Sequence, residues 1–335
     1  MTPAVSSKEF RIMRLTGTFL DEISFDIPHQ NWGFREWDRD FAAMKAIGIR
    51  RVILIRCANG HFMTYDSQVI PRLNSGCAMH RPPVDLVDMF LTLAEKYEME
   101  FFFGTMHCHP GSCVRWSDPE LFRREIEINR AIIAEAQERY GDRQAFRGWY
   151  LTHEICRGNA ATIELLAEQA RFAKQASGGK PTLISPYFAG VKQSSNSGAG
   201  QPFRALTVEE HTAEWREIFS RLAGLLDYVA FQDGHVDYGE LADYHRATRL
   251  LADEFGIEAW SNIETFDRDM PIKFLPIKWE KFLWKLEAAE AAGLHDAITF
   301  EFSHFMSPYS MYPSARGLYD RYCEHFGLVP PDRGC

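Results

Sequence analysis

Several common features are scarce or absent in this sequence. No apolar run is long enough to cross a bilayer, and the N-terminal stretch MTPAVSSKEF lacks the basic and then apolar order of a secretory signal. Positive charge is in deficit, with 37 lysines and arginines against 46 aspartates and glutamates and a formal net charge of −9. These features argue against a membrane or nucleic acid as partner. We expect a cytoplasmic protein, or a secreted or periplasmic one if a leader peptide was removed.

Motifs for metal, disulfide and dinucleotide chemistry are also missing. The seven cysteines form no CxxC pair, and their odd number indicates neither a zinc knuckle nor a complete disulfide framework. No GxGxxG follows the first predicted strand, which disfavours a dinucleotide-binding fold, and no HExxH marks a metal-dependent hydrolase. We therefore expect mostly free thiols and no bound cofactor.

A regular alternation of strand-like and helix-like segments is present instead. Short apolar runs rich in β-branched or aromatic residues alternate eight times with longer segments of helical periodicity. The predicted strands span 10–20, 50–57, 99–107, 146–154, 181–188, 227–233, 258–264 and 296–302. Strands separated by helices give a parallel sheet, and eight repeats predict a single (β/α)8 TIM barrel domain over residues 1–335, with the barrel proper at about 10–325.

Loop lengths and strand ends indicate which end of the barrel carries the function. The strand-to-helix loops 58–83, 189–207 and 303–315 are long, whereas the helix-to-strand turns are short. Active sites of such barrels lie at the carboxyl ends of the strands. Nearly every predicted strand ends in polar or ionisable residues, which are Asp21, Glu22, Arg56, His107, His109, His153, Glu154, Tyr187, Gln232, Asp233, Glu264, Glu301 and His304. Polar residues often mark the point where a strand leaves the core, and this would account for any one of these residues. It accounts less well for the whole set at one end of the barrel.

Two glutamates stand out because of the strands that they end. Glu154 ends the fourth predicted strand and Glu264 ends the seventh, and closure of the barrel brings both to one mouth. This arrangement resembles the clan A retaining glycoside hydrolases, whose acid/base and nucleophilic glutamates end strands four and seven. GTFLDE near the start, FQDG after strand six and NIETF at strand seven resemble a bacterial glycosyl-hydrolase-like barrel family of unknown function, over about Thr16 to Phe305.

The resemblance implies a glycoside hydrolase that acts on an oligo- or polysaccharide with retention. Glu154 would be the general acid/base and Glu264 the nucleophile, in a double displacement that needs two carboxyl groups about 5–5.5 Å apart. We expect burial and the charge of Glu264 to raise the pKa of Glu154, and a cation such as Arg56 to keep Glu264 ionised. The structural alternatives are a buried, arginine-paired carboxylate at Glu154 and a helix cap at Glu264.

Other strand-end residues are predicted to position the sugar and to tune the two carboxyl groups. These substrate contacts are Arg56, His107, His109, His153, Tyr187, Gln232, Asp233, Trp260, Glu301 and His304. Tyr187 and Trp260 would stack an aromatic face on a sugar ring. One position departs from the clan A pattern, because His153 stands where an asparagine usually precedes the acid/base and contacts the 2-hydroxyl.

Two other functions stay open at this point. His107 and His109 point to the same side of the third strand, which is typical of a metal-binding pair. Further ligands for a divalent ion would come from Glu154, Asp233, His235, Glu264, Glu301 and His304, as in metal-dependent barrel sugar isomerases and hydrolases. A non-catalytic barrel that binds glycans is the second alternative. The sequence leaves the sugar, the linkage and the oligomeric state open.

Overall fold

A closed barrel of eight parallel strands forms the centre of the protein. The computed structural model describes residues 13–24, 26–74, 78–107, 119–192, 204–272 and 274–330. The barrel strands are β1 (Gly17–Leu20), β2 (Arg51–Leu54), β5 (Glu100–Gly104), β6 (Phe146–Tyr150), β7 (Thr182–Ile184), β8 (Tyr228–Gln232), β9 (Glu258–Glu264) and β10 (Asp296–Phe300). Since β1 pairs with both β2 and β10, the ring is closed, and the predicted single-domain (β/α)8 barrel is confirmed.

Helices connect the strands and surround the barrel. They are α1 (Phe34–Ala46), α2 (Ile70–Leu73), α3 (Leu86–Lys96), α4 (Pro119–Tyr140), α5 (Ala160–Ala176), α6 (Val208–Leu222), α7 (Tyr238–Glu254), α8 (Trp279–Ala292), α9 (Phe302–Phe305) and α10 (Pro313–Phe326). The long strand-to-helix connections carry additional short elements, namely α2, α9 and a hairpin of β3 (Ala58–Asn59) and β4 (Phe62–Met63). In the described parts of the chain, no helix is long and apolar enough to cross a membrane.

Both faces of the barrel strands are buried, which explains their nearly continuous apolar sequence. On β2, Ile53 faces the barrel interior, while Val52 and Leu54 pack in the layer between strands and helices. This alternation follows from the two-residue period of a strand. The interior of the barrel is therefore a packed core up to the level of its mouth.

Helix ends are set by short local signals. Thr207 precedes α6, and its hydroxyl accepts a hydrogen bond from the Glu210 backbone N–H at 3.2 Å, while the Glu210 carboxylate accepts one from the Thr207 N–H at 3.0 Å. This reciprocal pair satisfies two N–H groups that a helix start otherwise leaves unpaired. After α8, Gly293 adopts a φ of 70°, a left-handed conformation that ends the helix.

An aromatic and charged layer fills the amino-terminal end of the barrel. The Arg51 guanidinium lies 4.3 Å from the centre of the Trp260 ring, and Trp260 stacks on Tyr228 with 4.3 Å between ring centroids. Asp296, the first residue of β10, accepts hydrogen bonds from Arg50 at 2.7 Å and from Arg51 at 2.5 Å. This layer links the amino-terminal ends of four strands and closes the barrel opposite its mouth.

Candidate active site

A pocket of about 120 Å³ lies at the carboxyl ends of the barrel strands. Four residues predicted from the sequence line it, namely Arg56, Glu154, Gln232 and Glu264. They follow or end four different strands, so closure of the barrel brings together side chains that are far apart in sequence. The mouth of the barrel is therefore the candidate active site.

Glu264 is the last residue of β9, and only 1% of it is exposed. Arg268 donates hydrogen bonds to both of its carboxylate oxygens, from Nε at 2.6 Å and from Nη2 at 2.5 Å. Burial raises the pKa of Glu264, but the charge and the hydrogen bonds of Arg268 outweigh it, so the pKa lies below its usual value. The cation beside Glu264 is thus Arg268, four residues further on, whereas the sequence suggested Arg56.

Asp233 and Lys285 hold the backbone of Glu264 from behind. The Lys285 ammonium donates to Asp233 Oδ1 at 2.7 Å and to the carbonyl oxygen of Glu264 at 3.1 Å. Asp233 Oδ1 also accepts a hydrogen bond from the Glu264 backbone N–H at 3.1 Å. Asp233 is 1% exposed and lies outside the pocket wall, so its predicted contact with substrate stays a prediction, while its observed contacts are with Lys285 and the Glu264 backbone.

Gly234 lies directly against the Glu264 carboxylate. A Cβ atom at this position would be 1.7 Å from Glu264 Oε2 and 2.4 Å from Arg268 Nε. Both distances are far below van der Waals contact, so any side chain at residue 234 would displace the ion pair. Glycine is required here because of this close approach.

Glu154 follows β6, three strands around the barrel from β9, and is partly exposed to the pocket. Burial raises the pKa of its carboxyl group. The charges of Arg56 and Arg268 and a hydrogen bond from Gln232 oppose this effect, while the charge of Glu264 adds to it. The result is a raised pKa, so Glu154 holds a proton to higher pH than an ordinary glutamate.

Several polar atoms in the pocket wall have no hydrogen-bond partner among the described residues. They are Asp21 Oδ2, Ser24 Oγ, Arg56 Nε, Tyr150 Oη and Asn262 Oδ1. A buried polar atom without a partner costs about 1–3 kcal/mol, and few occur in a folded protein. A polar ligand in the pocket can supply the missing partners of these five atoms.

Glu301 and His304, both predicted substrate contacts, form a buried pair beside the pocket. The Glu301 carboxylate caps α9 by accepting hydrogen bonds from the backbone N–H groups of Ser303 at 3.0 Å and His304 at 2.6 Å. It also accepts one from His304 Nδ1 at 2.6 Å, while His304 Nε2 lies 3.1 Å from the Pro28 carbonyl oxygen. Both residues are 0% exposed and neither lines the pocket, so a contact with substrate stays a prediction for them.

His153, in the place of the clan A asparagine, points away from the pocket towards helix α4. Its Nδ1 lies 3.0 Å from Glu125 Oε1, and its ring packs edge-on against that of His107 with centroids 4.8 Å apart. His107 and His153 lie outside the pocket wall, so their contacts with substrate stay predictions. His109 lies outside the described residues.

The aromatic residues of the pocket differ from those expected. Trp260 is 1% exposed in the layer at the far end of the barrel. A strand rises about 3.3 Å per residue, which places Trp260 about 13 Å below Glu264, and the prediction that it stacks on a sugar is wrong. Tyr187 packs against His235, with ring centroids 5.1 Å apart, next to the pocket wall. The wall itself carries Phe19, Tyr150, Phe266, Phe274 and Phe300.

The metal-ligand set considered from the sequence is not assembled in the described residues. Glu264, Asp233 and Glu301 are each bonded to a cationic side chain instead. The one group of metal-binding residues that meets in the described ranges consists of His107, Glu125 and His153.

Comparison with known proteins places the chain in a family. Residues 15–312 match the family model DUF4434, a domain of unknown function. The chain belongs to the DUF4434 family. No sequence among curated proteins matches it.

Solved structures similar to this DUF4434 chain include glycoside hydrolases. A protein from Bacteroides thetaiotaomicron VPI-5482, described as a "putative alpha-L-fucosidase", is 47% identical, with a TM-score of 0.88 and coverage of 98% of this chain and 100% of that chain. An endo-1,4-beta-D-mannanase from Thermotoga petrophila RKU-1 is 11% identical, with a TM-score of 0.52 and coverage of 86% and 88%. A beta-glucuronidase from an uncultured Clostridium sp. is 12% identical, with a TM-score of 0.54 and coverage of 93% and 50%. The last two matches show a shared barrel fold.

Among the residues of this DUF4434 site that were not predicted from the sequence are Asn262, Arg268 and Lys285. Asn262 could have been found, because it lies between Trp260 and Glu264 on the same face of β9. Arg268 lies in a loop and Lys285 on helix α8, and strand periodicity gives no signal for either.

Proposed function

We propose that this DUF4434 protein is a glycoside hydrolase that cleaves O-glycosyl bonds with retention of configuration. Glu154 is the general acid/base and Glu264 is the nucleophile. The observation that supports these roles most is a pair of carboxyl groups in one pocket whose pKa values are shifted in opposite directions, upwards for Glu154 and downwards for Glu264. A protonated acid beside an ionised carboxylate is what a retaining glycosidase needs at the start of its reaction.

The reaction consists of two displacements. In the first, Glu154 gives its proton to the leaving oxygen, while the Glu264 carboxylate attacks the anomeric carbon and forms a glycosyl ester. In the second, Glu154 takes a proton from water, the water oxygen bonds to the anomeric carbon, and Glu264 leaves as a carboxylate.

Arg268 supports Glu264 in both displacements. Its two hydrogen bonds occupy two of the about four lone-pair positions that a carboxylate offers. Lone pairs therefore remain for attack on the anomeric carbon. When the glycosyl ester breaks, the same guanidinium stabilises the negative charge that returns to Glu264.

The substrate is a glycoside from which one terminal sugar is released. A volume of about 120 Å³ favours a single sugar unit over a long chain segment. The polar wall atoms described above can bond sugar hydroxyls, and the phenylalanine rings can pack on an apolar sugar face. α-L-Fucosides are the first candidates, because the 47% identical protein from Bacteroides thetaiotaomicron carries that name.

Activity of wild type, Glu154→Gln and Glu264→Gln on aryl glycosides, α-L-fucosides included, tests the proposal. We expect each amide variant to lose turnover by at least about a thousandfold, because each lacks one of the two carboxyl groups. The wild-type kcat/KM should fall at alkaline pH as Glu154 loses its proton, and Glu154→Gln should lack this dependence. Glu280→Gln, at an exposed position of α8, is the matched control and should retain full activity.

Three results would contradict the proposal. Amide variants with near wild-type turnover would remove both glutamates from the chemistry, and a first product of inverted configuration by NMR would exclude the double displacement. A wild type that binds glycans but turns over none of the panel would instead support the non-catalytic glycan-binding barrel.

A further inference from the structure

We propose that His107, Glu125 and His153 form a binding site for one divalent transition metal of the zinc class. The three residues come from separate elements: His107 follows β5, Glu125 lies in helix α4, and His153 follows β6. Nothing in the proposed glycosidase mechanism uses them, since they lie outside the wall of the active-site pocket.

The geometry of the three side chains suits a metal ion. One ligand atom from each residue lies within 4.8 Å of the other two, and His153 Nδ1 and Glu125 Oε1 are 3.0 Å apart. Ligands of a tetrahedral zinc, at about 2.0–2.1 Å from the ion, are about 3.3 Å from one another. The His153–Glu125 pair is already near this spacing, and no pair would need to approach by more than about 1.5 Å, which side-chain rotation can supply.

The protein scaffold holds Glu125 close to the two histidines. Asn129, one turn further along α4 on the same face, accepts a hydrogen bond from the Met106 backbone N–H at 2.9 Å and donates one to the Met106 carbonyl oxygen at 2.8 Å. Met106 precedes His107, so this double hydrogen bond fixes α4 against the end of β5. The ligand positions are therefore set by contacts that do not depend on the metal.

The chemistry of the ligands selects the class of metal. Two imidazoles and one carboxylate are preferred by zinc and its transition-metal neighbours, whereas magnesium and calcium prefer sites made of oxygen alone. Glu125 is 1% exposed and His153 is 6% exposed, so the site is largely shielded from water.

The bound metal would have a structural role. It would connect α4 to the ends of β5 and β6, directly before Glu154 in sequence. Because His153 turns towards α4 while Glu154 turns into the pocket, the metal would lie behind the active site. Metal binding should therefore appear first in the thermal stability of the barrel.

Zinc titration of the chelator-treated full-length protein tests the site. Isothermal calorimetry and metal analysis after gel filtration should give one zinc per chain, with a higher thermal unfolding temperature in the loaded protein. Loss of a residue that only hydrogen-bonds to a metal ligand weakens metal binding by about 10–100-fold. His107→Ala and Glu125→Gln each remove a ligand itself and should weaken zinc binding by more than that. His295→Ala, at a histidine that is 44% exposed, is the matched control and should bind zinc like the wild type.

A wild type that binds no zinc would overturn the proposal, as would zinc binding of unchanged affinity in both ligand variants. Cobalt gives a readout that requires no folded variant, because Co²⁺ in a site of nitrogen and oxygen ligands shows a visible absorption that differs from that of the aqueous ion. An unchanged cobalt spectrum in the wild type would equally overturn the proposal. The glycosidase assays use other residues, so either proposal can fail while the other stands.

Discussion

Glu264 is held by contacts of three kinds at the scale of single residues. Arg268 bonds to both carboxylate oxygens, the Asp233–Lys285 pair holds the backbone, and Gly234 leaves just enough room for the carboxylate. Such support keeps a reacting group in one position and reduces the reorganisation needed during the reaction. The carboxylate and its neighbours therefore act as one unit.

Replacement of Gly234 by alanine tests how tightly this unit is packed. The added methyl group would overlap Glu264 Oε2 and Arg268 Nε, so we expect kcat/KM to fall by about a hundredfold or more through misplacement of the proposed nucleophile. Gly239→Ala is the matched control, because a Cβ there meets no atom within 4 Å. Equal kinetics for the two variants on an aryl glycoside would show that the carboxylate has space to move.

At the scale of elements, helix α9 connects the loop after β10 with the loop after β1. Glu301 caps this short helix and pairs with His304, whose other ring nitrogen reaches the Pro28 carbonyl oxygen. Burial lowers the pKa of His304, but the charge and hydrogen bond of Glu301 outweigh it and raise the pKa from 6.5 to about 9. With both ring nitrogens protonated, each can donate to one of these oxygens.

The His304 pair predicts a specific dependence of stability on pH. The pKa of His304 is 6.5 in the unfolded chain and about 9 in the folded protein. The folded state therefore binds the proton more tightly than the unfolded state between these two pH values. The contribution to the free energy of unfolding, roughly 3 kcal/mol, is therefore complete below pH 6.5 and is lost as the pH rises through 9. Urea titrations of wild type and His304→Gln should differ most near pH 6.5 and converge above pH 9.

His295→Gln provides the control for this measurement, since His295 is largely exposed and pairs with the exposed Asp253. We expect its stability to follow that of the wild type across the same pH range. A constant difference between wild type and His304→Gln from pH 6.5 to 9.5 would contradict a protonated His304 in the folded protein.

At the scale of the whole molecule, barrel closure depends on contacts between the first and last strands. Asp296 at the start of β10 accepts hydrogen bonds from Arg50, Arg51 and Thr16, which lie beside or within β1 and β2. Its side chain is 4% exposed and that of Arg51 is 11% exposed, so the pair is largely shielded from water. The contacts join residues more than 240 positions apart in sequence.

Asp296→Asn should destabilise the whole barrel. Loss of the carboxylate charge would leave the largely buried Arg51 with Glu100, at 3.4 Å, as its remaining ion-pair partner, and we expect the free energy of unfolding to fall by about 3 kcal/mol. Asp243→Asn removes an exposed ion pair with Arg246 and should change little. Urea unfolding of the two variants checks this, and equal midpoints would assign no special role to the closing contact.

Much of this architecture could be predicted from the sequence, but the position of a side chain along the barrel axis could not. Periodicity located the eight strands and the ends that carry Glu154 and Glu264. Trp260 and Glu264 lie on the same face of β9, four residues apart. Strand periodicity predicts the face but not the depth, so it cannot show that Trp260 lies at the far end of the barrel from the mouth. The Asp233–Lys285 pair joins residues 52 positions apart through the packing of α8 on the barrel, and no local pattern encodes such a contact.

The layer of Trp260, Tyr228 and Arg51 determines how a ligand can enter and leave the barrel. This layer blocks the amino-terminal end of the barrel. In the described residues the pocket is therefore open at the mouth only and is not a channel through the barrel. Whatever enters at the mouth must come out at the mouth. A bound molecule therefore excludes its successor until it has left, and a polymer chain cannot pass through the barrel along its axis.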